Sequence, residues 1–167
     1  MNIIIKKAAA GDAAAILEYL KQVGSETDNL SFGGEGLPFS AEDEEKFILS
    51  LENSTDGILL VAKDGDRIVA DASLSRYPRR MSHRGELGVS VIKEYWGRGI
   101  GGRLIGKIIE FARENAFEVI DLEVRSDNVG AIHLYEKMGF KKIGSHPTYM
   151  KINGEYCPAD YMCLELK

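Results

Sequence analysis

Between residues 95 and 103 the chain reads Tyr95-Trp96-Gly97-Arg98-Gly99-Ile100-Gly101-Gly102-Arg103, with four glycines in six positions. A short apolar run, Glu86 to Val91, precedes it. An amphipathic one follows, marked by Leu104, Ile105, Ile108, Ile109 and Ala112. A glycine-rich junction from strand into helix lets successive backbone N–H groups point into one concavity. The helix N-terminus adds positive partial charge. The expectation is an anion site, most often for phosphate, and the plainer alternative is a turn rich in glycine for tight packing alone.

Two familiar phosphate motifs fit the spacing and fail on context. Gly97, Gly99 and Gly102 satisfy G-x-G-x-x-G, and Asp121 lies 19 residues beyond, as in a dinucleotide fingerprint. Too little chain follows to complete a dinucleotide fold, and the acid falls inside its strand. Gly101, Gly106 and Lys107 nearly form a P-loop, but Ile108 stands where a Mg²⁺-binding Ser or Thr belongs, and Gly106 and Lys107 fall inside the apolar helix.

The remaining chain supplies the elements around this turn. Asn2–Lys7 reads as a strand, and Asp12 caps a helix to Val23 that Gly24 stops. Residues 24 to 39 form a loop. Ser40 and Asp43 resemble a capping box, opening a helix with Phe47, Ile48 and Leu51 on one side. Gly57–Ala62 and Arg67–Leu74 form a hairpin around Asp64-Gly65. After the glycine-rich helix, which ends near Asn115, come a strand at Val119–Val124 and a helix at Asn128–Met138 closed by Gly139. Short strands follow at Phe140–Ile143 and Tyr161–Leu166. Three sequential strands precede the turn, so this is no regular βαβ repeat. The expected class is α/β (α+β), a mixed sheet flanked by helices, with residues 1–167 as one domain.

Composition narrows the function. With 21 basic and 26 acidic side chains the net charge is −5, which argues against a nucleic-acid binder. Cys157 and Cys163 are too few for a disulfide framework or a Cys-rich zinc site, and neither they nor His146 give metal-ligand spacing. No signal-peptide pattern opens the chain, and no apolar run approaches the ~20 residues that span a membrane. A cytoplasmic protein without metal is expected.

The strand ELGVSV followed by IKEYWGRGIGG resembles the acetyl-CoA-binding motif of the GNAT (GCN5-related N-acetyltransferase) superfamily, Q/R-x-x-G-x-G/A. Trp96 holds the Q/R position, ahead of Gly97, Arg98, Gly99, Ile100 and Gly101. Downstream, Asn128, Ala131, Tyr135, Gly139 and Phe140 resemble the family's second signature, N-x-x-A-x-x-x-Y-x-x-x-G-F. The resemblance is closest over residues 57 to 145. It implies a mostly antiparallel sheet splayed between its fourth and fifth strands. Acetyl-CoA would then be the co-substrate, its pyrophosphate on backbone N–H groups from Gly97 to Gly102. Its pantetheine arm would lie along Val89-Ser90-Val91, where a backbone N–H can stabilise the developing oxyanion. Arg98, Arg103 and Lys107 are candidates for the ribose 3′-phosphate or are solvated helix surface. Asn128 either holds the cofactor or caps its helix.

The resemblance also implies direct attack by an amine within a ternary complex. Tyr135 is the candidate acid for the departing thiolate. Glu123 is the first candidate base and Glu86 the second, each with an ion-pair role to Arg125 or Arg84 as the alternative. His83 is a weaker candidate, and His133 is out of phase with Tyr135. Residues 26 to 56 carry nine acids and one lysine, either an acidic rim that attracts a cationic amine or a solvated helix face. The 76–84 segment, RYPRRMSHR, is basic and could face CoA phosphates or a substrate carboxylate. A small amine or amino acid is the first-ranked acceptor. A protein N-terminus, as in ribosomal-protein acetyltransferases, is second, and a non-catalytic acetyl-CoA-binding module is the alternative outside catalysis. Family relatives often dimerise, though no residue here requires a homodimer.

Overall fold

The structure, a computed structural model, describes residues 1–167. Seven strands form one sheet: β1 (Ile3–Lys7), β2 (Gly57–Asp64), β3 (Arg67–Arg76), β4 (Arg84–Val91), β5 (Val119–Arg125), β6 (Lys141–Ile152) and β7 (Glu155–Glu165). Their order is β1-β2-β3-β4-β5-β7-β6. Every pairing is antiparallel except β4 with β5, which run parallel. The β4–β5 ladder joins Arg84 to Val119, Gly85 to Ile120 and Glu86 to Asp121, and no further. Beyond Glu86 the two strands part, which is the splay expected between the fourth and fifth strands.

Four helices cover the sheet: α1 (Ala13–Glu26), α2 (Ala41–Leu51), α3 (Ile100–Glu114) and α4 (Val129–Lys137). The capping box at α2 is complete. Ser40 Oγ accepts from the Asp43 N–H, and Asp43 Oδ2 accepts from the Ser40 N–H, both at 3.1 Å. On α3 the apolar positions Leu104, Ile105 and Ile108 are fully buried against the sheet. On α4, Asn128 takes its capping role, accepting from the Ala131 N–H at 3.4 Å, and Gly139 ends the helix at φ +100°.

Four expectations change. Helix α1 runs through Gly24 to Glu26. Gly24 is needed for close packing, not as a stop, because a Cβ there would meet the Gly33 carbonyl oxygen at 2.2 Å. Phe47 is largely exposed while Ile48 is buried, so the buried face of α2 is narrower than the apolar spacing suggested. The β2–β3 turn sits one residue later, at residues 65–66. The last two strands are much longer than the short runs expected, meeting at an Asn153-Gly154 turn. β6 is an edge strand exposed along most of its length, and its pairing with β7 slips twice, between Lys142 and Gly144 and between His146 and Met150. A strand with polar residues on both faces carries no alternation to read.

Candidate active site

Strand parity decides which backbone groups the splay exposes. Tyr77 donates its N–H to the Arg84 carbonyl and Ile92 donates to that of Val69, both at 3.0 Å. Even-numbered residues of β4 therefore exchange hydrogen bonds with β3, and the odd-numbered residues Val89 and Val91 turn their backbone groups to the open side. Ser90, expected beside them in the cofactor edge, faces β3 with its main chain. Its hydroxyl donates to Asp71 Oδ1 at 2.6 Å and stands 2.7 Å from the Tyr19 hydroxyl. The Val91 carbonyl is taken by the Trp96 indole N–H at 2.7 Å. Trp96, at the family's Q/R position, thus fixes the turn to the end of β4.

The glycine-rich turn has the form of an anion cradle. Gly97 and Gly99 lie at φ +73° and +76°, conformations that L side chains rarely adopt, and a Cβ at either would meet nothing within 4 Å. The first α3 bond runs from the Arg103 N–H to the Gly99 carbonyl. The N–H groups of Ile100, Gly101 and Gly102 in the first turn are therefore free of helical partners. The residues present fit a diphosphate. Its three basic candidates part company. Arg98 stacks on the Tyr95 ring at 5.0 Å and reaches the Met1 sulfur. Arg103 donates to the Ile3 carbonyl at 3.2 Å. Lys107 has no partner in the protein.

Helix α4 packs beside this cradle. A Cβ on Gly101 would meet Leu134 at 3.3 Å and Val91 at 4.0 Å. Tyr135, the next residue, has a buried ring set edge-on to Phe140, centroids 5.8 Å apart. Its hydroxyl has no hydrogen-bond partner in the protein, yet no partnerless side-chain polar atom is sealed from solvent, so it opens outward. Burial pushes the phenol up to about 12.

The opposite face of the sheet, under α1 and α2, collects acids. Glu123 stands two residues past the last β4–β5 pair, across the opening from Gly88 and Val89. Burial raises its carboxyl to about 7, helped by a hydrogen bond with Glu86 and by the charges of Glu86 and Asp121. Asp121 is held by the Arg84 Nε at 2.7 Å. Neither Glu86 nor Glu123 has an ion-pair partner, so the pairing with Arg84 or Arg125 weighed for them is not formed. Arg84 goes to Asp121, and Arg125 to Asp127 and the Asp28 carbonyl.

Three tyrosines surround the pair and went unrecognised in sequence. Burial and the charges of Glu86, Asp121 and Glu123 raise Tyr77 to about 12. Tyr149, on β6, is raised by burial, Glu123 and Glu86, and lies 6.4 Å from the Tyr161 ring. Tyr161 pairs with Glu123 in the β5–β7 ladder. No three His, Cys, Asp or Glu side chains stand close enough together to hold a metal ion. No helix is long and apolar enough to cross a membrane.

The resemblance implied a parted pair of strands with a glycine-rich turn beside it, and offered Glu123 or Glu86 as the base; the fold has that splay, and it brings the two carboxyls together across it. The sequence model of the acetyltransferase (GNAT) family matches residues 25–140, and the chain belongs to that family. It is 37 % identical over 94 residues to the N-alpha-acetyltransferase RimI of Mycobacterium tuberculosis, covering 56 % of this chain and 58 % of that protein. It is 36 % identical over 107 residues to the L-amino acid N-acetyltransferase AaaT of Escherichia coli, covering 62 % of this chain and 65 % of that one. The chain thus matches somewhat under two thirds of the length of these relatives. A solved acetyltransferase of the GNAT family from Streptococcus pneumoniae superposes with a TM-score of 0.95 at 29 % identity, over 98 % of this chain and 99 % of that one.

Proposed function

We propose that this chain transfers the acetyl group of acetyl-CoA to a primary amine by direct attack in a ternary complex. A small molecule bearing the amine, amino acids among them, is the first acceptor class. A protein N-terminus is the second, favoured by the similarity to RimI. The observation that carries the reading is the placement of Glu123 and the free backbone of Val89 on the two arms of one splay.

The residues divide the work by chemistry. The free amides of Ile100 to Gly102 suit the diphosphate. Val89 and Val91 present main-chain groups to an extended amide-bearing arm and an N–H donor where negative charge develops on the thioester oxygen. As the amine nitrogen bonds to the acetyl carbon and the carbon–sulfur bond breaks, Glu123 accepts the proton leaving nitrogen. Tyr135 gives its phenolic proton to the departing sulfur and is reprotonated from solvent. A carboxyl raised toward neutrality by burial is a stronger base when ionised than a solvated one, which suits this role.

Thermal shift with acetyl-CoA, CoA and NADH in parallel tests the cofactor. At 100 times its Kd a ligand adds ~2.7 kcal/mol, which raises Tm by roughly 5–10 °C for a chain of this size. Stabilisation by acetyl-CoA and CoA but not NADH is expected, and the reverse overturns the reading. Tyr135→Phe should lower kcat about 10²-fold without changing that stabilisation, as read by thiol release. Unchanged kcat would remove Tyr135 from the proton path.

A further inference from the structure

The three strands that floor the acceptor side, β3, β4 and β5, carry four cationic side chains, and each is tied to a carboxylate of the protein. Arg67 pairs with Glu94 at 3.0 Å, Arg76 with Asp56 at 2.8 Å, Arg84 with Asp121 at 2.7 Å and Arg125 with Asp127 at 2.7 Å. The same strands present three carboxyls with no cationic partner: Asp71, Glu86 and Glu123. Above Asp71 lies Glu44 of α2, which adds negative charge to that end of the floor. The loop that roofs this side is acidic too, and the bond from Arg125 Nη1 to the Asp28 carbonyl, 3.1 Å, draws it down onto the end of β5.

A free amino acid brings a carboxylate two bonds from its reacting nitrogen. When that nitrogen stands at Glu123, the carboxylate must lie within a few ångströms of Glu86 and Asp121, with Arg84 already engaged. Like charges that close are strongly disfavoured, whereas an ammonium among carboxylates and tyrosine rings is favoured. The unpaired Arg79 and Arg80 lie in the β3–β4 loop, at the closed end of the β4–β5 pair where the His83 carbonyl accepts from Glu118 and Val119. They stand beyond Arg84, away from Val89.

We propose that the site selects amines with no carboxylate beside the reacting nitrogen: a residue whose carboxyl is held in an amide or peptide bond, or an alkyl amine, in preference to a free amino acid. This rests on the acetyltransferase reading above. What favours it is the absence of an uncommitted cation on β3, β4 and β5, which an amino-acid site would need in order to anchor the carboxylate; the unpaired Lys141 and Lys151 stand on the edge strand β6, Lys141 beyond Cys163 from Asp121.

The test presents each common amino acid to the full chain in three forms: free, as its C-terminal amide, and as the first residue of a tripeptide amide. A simple diamine is added. CoA release is read at saturating acetyl-CoA, and rates are compared at equal concentrations of the neutral amine, since amidation itself lowers the amine pKa. For the residues accepted, kcat/KM for amide or peptide should exceed that for the free amino acid by at least about tenfold. A lead of peptide over amide points to a protein N-terminus, and a lead of the diamine points to alkyl amines. Both keep the proposal. Free amino acids used as well as their amides overturn it while leaving the acetyltransferase intact, and would direct attention to Arg79 and Arg80. CoA release with none of these amines, in a protein that acetyl-CoA stabilises, overturns the acetyltransferase reading and the selection together.

Discussion

The two sides of the splay are built from different materials. On the proposed cofactor side the binding groups are main-chain amides, those of Ile100, Gly101 and Gly102 at the start of α3 and those of Val89 and Val91 on the open edge of β4, with the Tyr135 phenol as the one side chain beside them. On the acceptor side they are side chains drawn from distant segments: Tyr77 after β3, Glu86 on β4, Glu123 on β5 and Tyr149 on β6. A site made of backbone is tolerant of side-chain identity except where a Cβ or a φ angle intervenes. A site made of side chains depends on protonation and charge. The two should therefore fail under different substitutions.

The sharpest break in that comparison is Glu123→Gln. It removes the proposed proton acceptor and leaves every main-chain group in place. The expected loss in kcat is about 10²- to 10⁴-fold, with acetyl-CoA affinity unchanged. In the parent protein kcat should rise with pH through about 7 as Glu123 ionises. The phenol of Tyr135, at about 12, stays protonated through that range, so no descending limb is expected at neutral pH. Because Glu86 and Glu123 share a hydrogen bond, the observed midpoint belongs to the pair. If Glu123→Gln retains the limb near 7, the base is another group.

Gly99→Ala tests the other side with a smaller effect. At φ +76° an added Cβ finds open space, so what it meets is conformational strain. A left-handed non-glycine residue costs about 1–2 kcal/mol. If the turn relaxes to avoid that cost, the cradle loses its shape, and acetyl-CoA should bind about tenfold more weakly while the acceptor KM holds. A change in acceptor KM instead would mean that the two sides are not separable.

This division also explains what the sequence revealed. Glycines at positive φ and the Asn128 cap are local devices, and a local device leaves a local pattern. So the cradle and the four helices could be read directly, while the splay between the fourth and fifth strands came only as what the family resemblance implied. Glu123 and Glu86 could be named as candidates because the family resemblance points to a base on the strands beside the splay. Their hydrogen bond could not, since it depends on how far the β4–β5 ladder runs before it parts. Tyr149 was out of reach for a different reason. It sits on a twelve-residue edge strand with slipped pairing, polar on both faces, which offers no periodicity at all. Gly24 shows the converse error: a glycine near the end of an apolar run looked like a stop, but the requirement it meets is contact with Gly33, nine residues away.

One acid of the acceptor-side floor also touches the cofactor edge and refines the comparison. Asp71 lies on β3 beneath α1, accepting from Ser90 and standing 3.5 Å from the Tyr19 hydroxyl. Ser90 separates Val89 from Val91, so this hydrogen-bonded group ties the cofactor edge of β4 to the helix that walls the acceptor side. Burial raises Asp71 to about 6, against hydrogen bonds from Ser90 and Tyr19 that lower it, and with Glu44 adding to the rise. The sign for stability follows. Between the unfolded value, 3.8, and about 6 the folded state holds the proton more tightly than the unfolded chain does. Ionising Asp71 over that window therefore removes stability as pH rises. Asp71→Asn keeps an oxygen acceptor for Ser90 and does not titrate. Relative to it, the parent protein should lose stability from about pH 4 to about pH 6 and hold a constant offset above, as read by denaturant midpoints. The effect on acetyl-CoA binding should be smaller than that of Gly99→Ala, because the carboxamide still secures Ser90 and hence the direction in which Val89 and Val91 present their amides. A large loss of binding in Asp71→Asn, with folding intact, would show that charge at Asp71 reaches the cofactor edge, and the separation between a backbone side and a charge side would no longer hold.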